Sequence, residues 1–147
     1  MRDGYMLDDP MFIAWQSGQR EALTDGYGSW YDLVRETVRR GVEVRRARIV
    51  SEPVSEYIRF EHAVTFANVE AGELVRWLPR RSATDLALPG NDFWLIDGET
   101  LLINHFNGDG GSLGSEFVED PAVAKLCATA FEAVWERAVP HAEYRLV

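Results

Sequence analysis

This 147-residue chain holds one cysteine, one lysine and three histidines. Cys127 can form no internal disulfide and sits in an apolar helical pattern, so a free, buried thiol in a reducing cytoplasm is expected. The other 14 basic residues are Arg, and against 24 acids they leave a formal charge of −9. Phosphate binding is driven by clustered positive charge and counterion release, so this balance argues against a direct nucleic-acid partner. No run of about 18 apolar residues is present to cross a bilayer, and no basic segment followed by an apolar run marks a conventional signal. None of His62, His105 and His141 stands at metal-ligand spacing from Cys127 or another His, and Glu61-His62 lacks the second His of a zinc-protease helix. No metal and no cofactor is therefore expected. Ser112 and Ser115 lack a Gly-x-Ser-x-Gly setting, and the glycine-rich run Asn107–Ser112 lacks the Lys of a phosphate loop.

What is present suits a folded single domain: 46% hydrophobic residues, 12% aromatics and 27% charged residues. Residues 1–29 read as an N-terminal arm with a short apolar anchor, Met11–Trp15, and a glycine-rich joining loop; residues 30–147 read as the α/β domain. Trp30, Leu33, Val34 and Val38 recur at helical spacing behind Ser29 as N-cap, with Gly41 as terminator. A strand over Val42–Val50 follows, then a helix capped by Ser51 with Pro53 in its first turn, and then a strand over Glu73–Leu78. Phe93–Ile96 and Leu101–Phe106 form a hairpin around Asp97-Gly98, a dipeptide that tolerates positive φ. Leu113–Val118 reads as a short edge strand, and Asp120-Pro121 opens an amphipathic helix to about Val139. The order α-β-α-β-β-β-α implies a single mixed β-sheet covered by helices.

Candidate site residues follow from chemistry. Arg45, Arg46 and Arg48 converge with Arg59, Glu61 and His62 if the second helix lies beside the Val42–Val50 strand. Arg binds carboxylate or phosphate through two parallel hydrogen bonds, whereas salt bridges to the many acids are the plainer reading. Arg76 beside Trp77 suits a planar ligand, though a strand aromatic also packs in a core. His105, with Asn107 and Asp109, stands at a strand end, where following loops commonly build sites. The ligand-binding candidates are thus Arg48, Arg59, His62, Arg76, His105, Asn107 and Asp109.

The segments Val44–His62, Val75–Arg80, Leu88–Gly98 and Ala133–His141 resemble an uncharacterised actinobacterial domain family often encoded beside helix-turn-helix regulators. That resemblance spans about Trp30 to Tyr144 and implies a regulatory accessory protein. The frame around Asp97 also resembles half of a phospholipase D domain, which implies a phospholipase D-like half domain as the fold. In that motif a His and a Lys stand seven and five residues before the Asp; Gly90 and Asp92 occupy those positions here. Asn104 and His105 stand where that motif has Gly-Ser, so the nucleophile is missing and no catalytic residue carries over. Together these readings imply a noncatalytic regulatory or sensor domain. Its expected partners are a helix-turn-helix regulator protein and a small anionic ligand, with no membrane partner. The alternative is a small enzyme in which Arg59, His62, His105 and Asp109 line one pocket. A homodimer pairing two half-units is a third expectation.

Overall fold

A computed structural model describes residues 3–19 and 25–147. Its elements are α1 (Pro10–Gln16), α2 (Gly28–Arg39), β1 (Arg45–Val50), α3 (Glu56–Glu70), β2 (Leu74–Pro79), β3 (Asp92–Ile96), β4 (Thr100–Phe106), β5 (Ser112–Val118), α4 (Pro121–Arg137) and β6 (Val139–Pro140), with short 3-10 turns at Asp25–Tyr27 and Arg80–Ala83.

The expected single mixed sheet is two sheets. β1 and β2 run parallel with β6 antiparallel in the order β1-β2-β6, while β3-β4-β5 is a separate antiparallel meander. The twelve residues between β2 and β3 carry the chain through a 3-10 turn and past Leu88-Pro89, and β3 stops beside β1 without pairing to it. Arg46 provides the physical reason. Its guanidinium stands 4.9 Å from the Trp94 ring of β3 and 5.5 Å from the Trp30 ring of α2, so side chains occupy the gap that a ladder would close.

Around the first sheet the expected elements form with shifted caps. Ser55, not Ser51, caps α3, accepting from the Ile58 N–H at 3.2 Å. Ser51 is engaged elsewhere: its N–H and hydroxyl each donate to the Asp3 carboxylate at 2.7 Å, and Arg80 Nε donates to it at 3.0 Å. Glu52 precedes Pro53, and a residue before proline is turned away from the helical region, which holds the start of α3 downstream. Ser29 likewise lies inside α2, behind Tyr27 at the cap position, while Gly41 (φ +85°) follows the helix end as expected.

One face of the first sheet packs Trp77, Val75 and Val50 against Ile58, Val54 and Tyr144. Its other face packs Ile49 and Leu78 against Val134 and Ala138. Trp77, Phe60 and Leu78 are fully buried, each contributing about 2 kcal/mol or more from removal of apolar surface from water. α1 packs Phe12 on Phe60 and Val64 of α3. The loop expected to join the arm falls in part on residues 20–24, outside the described residues.

The second sheet lays Phe93, Leu95, Leu101, Ile103 and Val118 against Ala124 and Cys127 of α4, which leaves the thiol buried. Asp120 caps α4 by accepting from Ala122 and Val123 N–H, and Pro121 opens it. At the hairpin Asp97 (φ +53°) and Gly98 (φ +77°) both adopt positive φ, and the Glu99 N–H donates to the Ile96 carbonyl at 3.1 Å. Among the described residues no helix is long and apolar enough to cross a membrane.

Candidate functional site

A cleft of about 250 Å³ runs along the seam between the sheets. β1 forms one wall and Asn91–Trp94 the opposite one, with Tyr57 of α3 and Phe131 of α4 at its two flanks. β1 and β3 each have a strand neighbour on only one side, so two sheet edges border this space.

Alternation along β1 divides its arginines. Arg46 and Arg48 project toward α2 and α3, and Arg45 projects toward α4. Arg46 is paired with Glu73, whose fully buried carboxylate also accepts from Asn68 Nδ2 at 2.8 Å and Trp30 Nε1 at 3.4 Å. Burial lowers the Arg46 pKa, and the neighbouring Arg48 charge adds to that shift while Glu73 opposes it. Arg48 pairs with Glu61 and lies 5.5 Å from the Trp77 ring. The Tyr57 hydroxyl donates to the same Glu61 carboxylate at 2.8 Å, and burial followed by the Glu61 charge pushes this phenol well above its ordinary range. Arg45 binds Glu132 at 2.7 Å and Glu43 at 3.1 Å, over the Phe131 ring.

Two groups among the residues lining the cleft have no hydrogen-bond partner among the described residues. Arg48 Nε is buried and makes no hydrogen bond. Asp92, half-buried on the opposite wall, has no hydrogen bond or ion pair for its carboxylate. The cleft therefore offers an unused acceptor, the Asp92 carboxylate, near aromatic surfaces, while Arg48 Nε stays enclosed behind it.

Of the residues expected from sequence, Arg48 lines this cleft and meets Glu61 as anticipated. The others lie apart from it. Arg59 is exposed on α3. Arg76 points to the opposite sheet face, donating to the Trp135 carbonyl at 2.9 Å with its guanidinium 4.4 Å from that ring. His105 faces Glu116 across the second sheet at 3.2 Å. Asn107 Oδ1 accepts from the Asp109 N–H at 3.0 Å and the Gly111 N–H at 2.9 Å, closing its own loop, and Asp109 is exposed there.

His62 belongs to a separate cluster under the C-terminal segment. Its ring lies 4.5 Å from that of His141 and 5.3 Å from Trp77, and its buried Nε2 has no hydrogen-bond partner among the described residues. Trp77 Nε1 donates to His141 Nδ1 at 3.1 Å, and Tyr144 stacks on Trp77 at 5.6 Å. Burial first, and then the adjacent His62 and Arg48, lower the His141 pKa to about 4; burial lowers that of His62 as well. Thus the four residues grouped for an enzyme pocket stand in different surroundings: His62 against Trp77, His105 against Glu116, Asp109 on its loop and Arg59 at the surface.

Sequence reading missed Glu73, Trp94 and Asp92. The available signal was polar residues inside strand patterns. Asp92 begins β3 and stands directly across from Asn104 on β4, so two polar side chains share one face of an otherwise apolar hairpin.

Among the described residues no group of three or more His, Cys, Asp or Glu is placed to hold a metal ion. Comparison with curated proteins and with solved structures found no match. The family of domains of unknown function designated DUF6879 matches residues 1–146. The chain, with its two small sheets and the cleft between them, belongs to the DUF6879 family.

Proposed function

We propose that the chain is a noncatalytic regulatory module acting with a helix-turn-helix transcription regulator, and that the seam cleft is where it receives its partner or a small anionic ligand. The observation that carries this reading is the cleft itself: an open strand edge and the Asp92 carboxylate, which has no partner among the described residues, border a space flanked by Tyr57, Trp94 and Phe131. The ionic groups behind it are held by one another, Arg46 by Glu73 and Arg48 by Glu61, which suits a preformed binding surface more than a proton-transfer site. The net charge of −9 adds a second support, since an acidic module can meet a basic DNA-binding protein and compete with DNA. In this reading the Asp97 hairpin retains the frame that resembles a phospholipase D half domain and serves as scaffold, with Gly90 and Asp92 where the motif carries its His and Lys.

The test is calorimetry of the purified chain with the neighbouring helix-turn-helix regulator that the family resemblance implies. A complex at micromolar concentration whose affinity falls at high salt is expected. If the two fail to associate, the regulatory reading is removed. Light scattering of the chain alone, over a range of concentrations, separately decides whether two half-units pair.

A further inference from the structure

The segment before α1 crosses from one sheet to the other. At its start the Asp3 carboxylate accepts from the Ser51 N–H and hydroxyl, and the Asp3 carbonyl accepts from the Ser55 hydroxyl at 2.5 Å, which ties it to the connection between β1 and α3. Arg80 meets the same carboxylate at 3.4 Å. Three residues on, the Met6 N–H donates to the Gly110 carbonyl at 3.0 Å, in the loop between β4 and β5. Gly110 suits this approach, since it holds φ +86° and a Cβ there would stand 3.1 Å from the Gly4 carbonyl oxygen. Between the two ties Tyr5 lines the seam cleft, its ring 6.4 Å from that of Tyr57 on α3 and 4.7 Å from that of Phe106 on β4. The segment thus closes the seam at its Tyr57 end.

Its two ends are held unequally. On the α1 side Phe12 is buried on Phe60, and the Asp9 carboxylate accepts from the Met11 N–H at 2.7 Å and the Tyr27 hydroxyl at 2.6 Å, so this end is anchored. Met6, Leu7 and Asp8 are exposed, and Met6 holds φ +42°, a left-handed conformation that disfavours a residue with a Cβ. The Asp3 end is polar and wet: the side chains of Asp3 and Arg80 are 26% and 34% exposed, so water screens their pair. We propose that residues 3–8 form a strap over the seam cleft, latched by Asp3 on Ser51 and Arg80 and hinged at Met6, and that the latch opens to admit the partner. The proposal rests on the reading of the cleft as the partner site and names what regulates it. Opening strands no charge, because Arg80 keeps Ser51 Oγ at 3.0 Å and the Ile49 carbonyl at 3.2 Å as acceptors when Asp3 leaves for water. It also releases Met6 from its left-handed conformation. What resists opening is Tyr5, whose ring must leave Tyr57 and Phe106. A few residues that absorb a backbone change beside an anchored helix are the usual construction of a lid.

The experiment reads strap and cleft separately in the full chain. Exchange of the Met6 amide, followed by NMR, reports the tie to Gly110, and the rate at which iodoacetamide labels a thiol introduced by Asn104→Cys, on the half-buried cleft wall, reports access. Asp3→Ala is expected to speed both about tenfold or more while the buried Cys127 labels no faster. Ser51→Ala removes the hydroxyl donor from the other side of the latch, acts in the same direction, and replaces Asp3→Ala should that variant fail to fold. A Met6 amide that exchanges as before, or a released amide with an unchanged thiol rate, overturns the proposal. Cys127 labelling in step with the new thiol overturns it too, since the second sheet itself would then have loosened. With the regulator, Asp3→Ala is expected to bind about tenfold tighter than the parent chain, because the open state is then no longer the minor one. Equal affinity overturns the strap as a gate but leaves the regulatory module standing. A released strap and an opened cleft without regulator binding support the strap and remove that regulator.

Discussion

The two sheets handle polarity in opposite ways. In the first, charge is drawn inside: Glu73 is fully buried, Glu61 is nearly so, and each is matched to an arginine of β1. In the second, one face is apolar against α4, and the polar groups sit at the rim, His105 with Glu116 and Asn107 within its own loop. The first sheet thus depends on specific pairings and the second on area. Buried pairs are costly to break because the remaining charge stays in a low-dielectric site, whereas rim pairs are screened by water.

The largest expected effect comes from breaking the first sheet's pairing. Glu73→Ala leaves the Arg46 guanidinium without its carboxylate beneath Trp30 and Trp94, and a loss of about 3 to 5 kcal/mol is expected by urea unfolding. Next is the joint between the sheets. Trp94→Ala removes the ring that contacts both Trp30 and Arg46, with an expected loss of about 2 kcal/mol. A smaller loss would show that the sheets are held together elsewhere.

Acid separates the regions further. His62 and His141 have folded-state pKa values depressed below the ordinary value of 6.5, His141 to about 4. The unfolded chain therefore binds more protons between those limits, so stability is full above pH 6.5 and declines as pH falls toward 4. Protonation at His141 Nδ1 also removes the acceptor of the Trp77 N–H. Melting temperature measured from pH 7 to 4 should fall, and His141→Gln should flatten that slope.

Two local changes complete the contrast. Asp97→Val places a β-branched residue at φ +53° and is expected to cost about 1 to 2 kcal/mol, read from thermal melts. Among the described residues the Asp97 carboxylate makes no hydrogen bond, so backbone conformation alone sets that value. His105→Ala should change stability by no more than about 0.5 kcal/mol, because its Glu116 partner is exposed.

These differences explain what could be read from the chain. The hairpin at Asp97-Gly98, the Asp120-Pro121 start of α4 and the Gly41 stop are written in short-range chemistry, and all three stand where local rules put them. The division into two sheets was hidden because it depends on Arg46 meeting Trp94, 48 positions away. Ser51 looked like a cap because nothing nearby announces Asp3 as its partner. The arginine groups were legible as charge seeking carboxylates. Which carboxylate each one found, Glu61 for Arg48 and Glu73 for Arg46, is a property of the packed helices. His105, Asn107 and Asp109 drew notice because polar strand ends often build sites; here hydrogen bonds within the same sheet satisfy His105 and Asn107.

The central claim is that the seam, not the loop of the second sheet, receives the partner. Amide exchange mapped on the chain mixed with the helix-turn-helix regulator proposed as its partner tests it most directly. Protection along Arg45–Ile49 and Asp92–Trp94, with none at His105–Ser112, is the predicted result. Protection confined to His105–Ser112, with β1 exchanging as in the free chain, would contradict the account.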